Sequence, residues 1–240
     1  MAKIRRPISL DERKAKSTAW ALTFADMATL LLTFFVLLLV MLNDAEEHID
    51  HIINQLLDET FLELKDNVES SQVSVDRVTK GIKITMRGNL FKSLSADVNP
   101  KVYPLLVQIG AIIRTSKIIG VHNDPDYYNI LDLIDRRNTY LNVEVRCEGH
   151  TDDLALPISA EFPSNWELSS ARSLNFVRLL SDYAQMPQKL FSAMGYGEFR
   201  PIIDVGKLKN KLQIKEARSQ NRRVEIYLDA FIKNKIDINI

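Results

Sequence analysis

The chain has 240 residues with 31 basic and 31 acidic side chains, so its formal charge is zero and no global electrostatic bias points to nucleic acid. A lone cysteine, Cys147, excludes an intramolecular disulfide, and no paired Cys or His at ligand spacing marks a metal or cofactor site. The apolar fraction is ordinary on average, but much of it is concentrated in the first fifth of the chain.

Residues 1–19 form a basic tail carrying Lys3, Arg5, Arg6, Arg13, Lys14 and Lys16. Residues 20–42 read WALTFADMATLLLTFFVLLLVML, a helix of roughly 34 Å and enough to cross a bilayer core. A cleaved signal peptide has a shorter apolar region ending at small residues, whereas Asn43-Asp44-Ala45-Glu46-Glu47 follows here. The basic flank before the span and the acidic flank after it predict an N-terminus on the cytoplasmic side. The rest of the chain is then expected across an inner membrane, in the periplasm.

Asp26 falls about six residues into the span, roughly 9 Å below the cytoplasmic end of the helix. A carboxylate there costs about 2.5–3.5 kcal/mol on insertion scales, so it faces protein and binds an ion or exchanges a proton, unless the span starts one residue later. Trp20 argues against that later start, because an interfacial aromatic marks the boundary six residues earlier. Thr23, Thr29 and Thr33 are candidates to line the ion path, although hydroxyls in such helices more often bond their own backbone.

Residues 43–70 read as an amphipathic helix whose stripe includes Ile49, Ile52, Ile53, Leu56 and Leu57 at spacings of three and four. The stripe fits a coiled-coil stalk formed with a second copy, and equally a segment lying on the membrane. Beyond residue 70 the pattern becomes mixed. Gly81 to Arg87 alternates as a strand, residues 100–116 read as a helix, and Leu141, Val143, Val145 and Cys147 alternate with polar residues. Cys147 therefore reads as a core residue. Residues 165–183 suit an amphipathic helix, with strands at 191–194 and 223–228 and an insertion at 117–138. Together these predict an α/β or α+β domain over 71–232, followed by a tail at 233–240.

Three polar clusters stand out: Glu148-Gly149-His150-Thr151-Asp152-Asp153, then Asn165 to Arg172, then Gly195-Tyr196-Gly197-Glu198 with Asn221-Arg222-Arg223-Val224-Glu225. A strand end carrying Asp beside a helix start carrying Asn and Arg presents both charges to one ligand. His150 and Asp152 alone lack a third metal ligand, and no catalytic constellation is visible, so an enzyme is not expected.

The Thr-Phe-Ala-Asp-Met entry, with Asp26 and the later Phe34-Phe35-Val36, resembles the MotB and PomB stator subunits of the flagellar motor. The clusters GHTD, NxxLSxxR and NRRVE resemble the OmpA-like peptidoglycan-binding domain of the same family. The resemblance implies one transmembrane helix continuing into a plug or linker helix, then an OmpA-like domain. It makes Asp26 the carrier of a translocated proton or sodium ion, with no other cofactor. It places peptide-stem binding on Asp152 and Arg172, supported by Asn165, Leu168 and Arg223. It also implies a homodimer working with a polytopic MotA- or PomA-like partner, five copies to two of this chain, anchored to peptidoglycan. Two alternatives stay open: a ZorB-like anti-phage motor, and a passive OmpA- or Pal-like tether between membrane and wall.

Overall fold

The computed structural model describes residues 10–235, which divide after His51 into two compact units. A single helix, α1 (Leu10–Val68), contributes to both. In the first unit, Trp20–Met41 has a mean hydropathy of 2.3 and none of it is buried by the rest of the chain. Leu22, Phe24, Leu31, Phe35 and Leu39 all project outward. An apolar surface continuous around a helix suits lipid or other helices rather than water.

The second unit is built on a five-stranded sheet in the order β1-β2-β5-β3-β4, with β1 (Val73–Val78), β2 (Gly81–Arg87), β3 (Thr139–His150), β4 (Phe191–Gly195) and β5 (Arg223–Asn234). All pairs are antiparallel except β3 with β4, which run parallel. Parallel neighbours need a crossover, and α5 (Asn165–Ala184) supplies it. The register gives the sheet an apolar and a polar face. Ile84, Ile226 and Cys147 lie side by side across β2, β5 and β3, as do Ile82, Leu228 and Val145, all buried. Phe176 and Leu180 of α5 and Leu106, Ile109 and Ile113 of α2 (Tyr103–Thr115) complete the core, and α2 packs on α5. Burial raises the Cys147 thiol to about 12, so it is an inert core residue.

Two expected boundaries move. Residues 52–68 are not a linker separate from the domain, because they fold with the sheet. Ile53, Leu56, Leu57, Leu64 and Val68 are buried. Asn54 and Asp58 accept hydrogen bonds from Arg77 of β1, Glu59 pairs with Lys117 at 2.9 Å, and Gln108 of α2 donates to the Asn67 carbonyl at 2.9 Å. An apolar stripe needs only a complementary surface, and here the chain's own domain provides it to Ile53, Leu56 and Leu57. The tail expected at 233–240 likewise starts later, because β5 runs to Asn234 and Lys235 pairs with Asp135. The segment 117–138, read as an insertion, is helical within the domain. It forms α3 (Lys117–Gly120) and α4 (Tyr128–Arg136), burying Ile118, Val121 and Ile134. A helix absent from the sequence reading, α6 (Lys211–Asn221), precedes β5.

Candidate ligand cleft and membrane carboxylate

The ends of β3 and β4 meet the start of α5 unusually closely. A Cβ at Gly149 would lie 2.3 Å from the Ser169 carbonyl oxygen, and one at Gly195 2.3 Å from the Ser170 hydroxyl. Only glycine permits that approach, and it brings the loop after β3 against the first turns of α5. Ser164 caps α5, its hydroxyl accepting from the Trp166 N–H at 3.1 Å. Asn165 fastens the loop to the helix by donating to the Leu154 carbonyl at 3.0 Å and to Glu198.

The resulting cleft has a volume of about 700 Å³ and gathers Asp152, Asn165, Leu168, Arg172 and Arg223, all five residues singled out for ligand binding. Arg172 is 9% exposed, lies 4.6 Å over the Phe91 ring, and donates through Nε to the Ser95 carbonyl at 3.1 Å. Burial lowers its pKa to about 10; Asp152 opposes that fall and Arg222 adds to it. The guanidinium thus stays charged at neutral pH. Among the described residues no acceptor meets its Nη groups, so their four N–H donors remain for a ligand. Asp152 is held at one oxygen by Arg222, 2.6 Å away, and at the other by the Leu154 N–H at 3.3 Å. An arginine and an aspartate on one wall match a ligand bearing both carboxylate and ammonium.

Arg223 has another task. It donates to Glu225, to the Asn221 carbonyl at 3.3 Å and to the Arg200 carbonyl at 3.2 Å, so each guanidinium nitrogen has a partner and the side chain braces the wall. Sequence reasoning missed Arg222 as the partner of Asp152. It also missed the 88–94 segment after β2, which supplies Phe91 and Lys92 to the cleft. Loop closure of that kind leaves no periodic signal in a sequence.

Behind the cleft, the polar face of the sheet carries a buried charged ladder. Glu148 lies opposite Glu225, and His150 opposite Arg223. The structure does supply what the sequence did not show beside His150: Glu148, His150 and Glu225 each offer a ligand atom, all within 4.8 Å of one another. Both carboxylates are already engaged, Glu148 with Arg146 and Glu225 with Arg223 and with the Tyr227 hydroxyl at 2.7 Å. His150 stacks on Tyr196 with ring centroids 5.5 Å apart, and burial followed by the charge of Arg223 lowers its pKa to about 4. It is therefore neutral near pH 7.

In the membrane-type helix, Thr23, Thr29 and Thr33 donate to the carbonyls of Trp20, Asp26 and Leu30 at 2.8–2.9 Å. Their protons are spent on the backbone and only their lone pairs face outward. At 100° per residue, Thr33 projects within about 20° of Asp26, with Thr23 and Thr29 about 60° to either side. The four make one polar stripe on an apolar helix.

Residues 5–59 match the family model described as membrane MotB of the proton-channel complex MotA/MotB. Motility protein B of Bacillus subtilis is 30% identical over 184 residues, covering 76% of this chain and 57% of that protein. The uncharacterized protein YtxE of the same organism is 28% identical over 88% of each chain. Among solved structures, a MotB-like protein of Desulfovibrio vulgaris matches with a TM-score of 0.54 at 21% identity, covering 76% of this chain and 94% of that one. The cell wall anchor of the T6SS from Pseudomonas aeruginosa matches with a TM-score of 0.50 at 27% identity, covering 73% and 97%. Fold and span together define a protein with one N-terminal apolar helix joined to an OmpA-like mixed α/β domain. Residues 5–59 are thus a MotB-type membrane segment, and the chain as a whole is similar to Motility protein B.

Proposed function

We propose that the chain is the wall-anchored, ion-carrying stator subunit of an ion-driven motor in an inner membrane. The observation that carries the anchoring half is Arg172, a buried charged guanidinium with unfilled donors facing a cleft that also holds Asp152. The zwitterionic end of diaminopimelate in a peptidoglycan stem has the matching chemistry, its carboxylate on Arg172 and its ammonium on Asp152. The motor half rests on Asp26, a carboxylate in a helix otherwise fit for lipid. Its negative charge favours a proton or sodium ion, and its neutralisation changes how that helix is received by neighbours. A lone helix encloses no ion path, so a polytopic MotA-like partner and a second copy of this chain complete it.

Asp26→Asn keeps the shape and removes the charge. At equal membrane levels it is expected to abolish motility while the protein still sediments with peptidoglycan sacculi. Motility equal to wild type would favour the second reading, a passive tether. That reading draws on the likeness to the T6SS cell wall anchor, which covers the same domain.

A further inference from the structure

A second concavity of about 520 Å³ adjoins the cleft and shares two of its lining residues, Leu154 and Arg222. Its far side is α6, which presents Lys211, Lys215 and Arg218 to it, with Ile214 at the base. The spacing from Lys211 through Lys215 to Arg218 is four and three, so these three cations lie on one helical stripe of α6, and Arg222 follows just past its end in extended backbone. Like charges at that spacing repel by about 0.2–0.5 kcal/mol per pair, so the stripe is unfavourable unless something anionic meets it. The inner end is matched within the chain. Arg218 makes two hydrogen bonds to Asp153, at 2.7 and 2.9 Å, and Arg222 holds Asp152. The outer end is not, because Lys211 and Lys215 are exposed and have no acidic partner among the described residues.

We infer that this stripe is an anion subsite for carboxylates of the same wall peptide whose zwitterionic end lies in the first cleft. The inference rests on the wall-binding reading above. Continuity selects the occupant, since a ligand passing Leu154 and Arg222 leaves one concavity and enters the other. The chemistry selects the group, since a stem peptide carries carboxylates beyond the diaminopimelate end, and Lys211 and Lys215 are unmatched cations lining the concavity that adjoins the first cleft. Ile214 and Leu154 supply apolar contact for the small side chains between those carboxylates.

The test titrates the full chain in lipid nanodiscs with two soluble stem peptides containing diaminopimelate. One has all its carboxylates free, and the other is amidated everywhere except on the diaminopimelate. Wild type is expected to bind the free acid roughly threefold to tenfold more tightly, two exposed ion pairs being at stake. The double variant Lys211→Ala, Lys215→Ala is expected to lose that preference while binding the amidated peptide as wild type does. Equal affinities in wild type, or an unchanged preference in the double variant, would overturn the subsite and leave the first cleft standing. Binding of neither peptide by wild type would overturn the wall reading itself, and the subsite with it.

Discussion

Arg172 is the side chain on which the proposed anchoring turns. A guanidinium that is 9% exposed, with a single backbone carbonyl and an aromatic face for partners, is held charged and undersatisfied. Truncating a buried charged hydrogen-bond partner of a ligand costs about 2–5 kcal/mol, so Arg172→Ala should weaken sacculus binding by about 30-fold or more. Arg172→Lys should not restore it, because an ammonium lacks the two-pronged geometry; a co-sedimentation titration decides both. His150 makes a separate prediction, about pH. Its folded pKa of about 4 lies below the unfolded 6.5, so the unfolded chain binds the extra proton between those values. The stabilisation is complete above pH 6.5 and is lost as pH falls towards 4, by at most about 3 kcal/mol. Glu225, depressed despite its burial by its bonds to Arg223 and Tyr227, acts in the same direction. Urea midpoints measured from pH 7 to 4 should therefore fall, and His150→Gln should flatten that slope.

At the level of elements, the end of α1 is a part of the domain rather than a spacer leading to it. Leu57 is 1% exposed and Leu64 fully buried, whereas Leu62 on the same helix is 56% exposed. Leu57→Ala should cost about 2–5 kcal/mol of domain stability and Leu62→Ala less than about 0.5, read as shifts in denaturant midpoint. That stripe was plain in the sequence; its partner was not, since spacing reveals a buried face and says nothing about what buries it. The same contrast runs through the domain. Leu141, Val145 and Cys147 disclosed β3 because alternation survives when one face is covered. Helix α6 escaped because Ala217 and Asn221 are its only buried residues, too few to leave a period. Asp152, Asn165 and Arg172 were legible from their motifs, but their assembly with Phe91 and Arg222 depends on contacts 61 and 70 residues from Asp152 in sequence, which no local pattern encodes.

At the scale of the molecule, two kinds of surface occupy separate compact units. Residues 20–41 expose apolar side chains all round, and the domain exposes a polar cleft built on charged wall residues. The first unit sets the Asp26 carboxyl in an otherwise apolar span, and the domain keeps the charged Arg172 guanidinium nearly buried beside the cleft. On the proposed function, both ends of the protein depend on outside partners, and Asp26 and Arg172 are where that dependence is concentrated.

The sheet order has a consequence for how such a protein is made. The last strand to leave the ribosome, β5, lies between β2 and β3 and joins the first hairpin to the later βαβ unit. Until residues 223–234 have emerged, the two halves of the sheet have no common edge and Arg223 cannot brace the cleft. The domain therefore stays open through nearly the whole of its synthesis. It gains its sheet and its cleft together, at the final step, long after the apolar helix has been made.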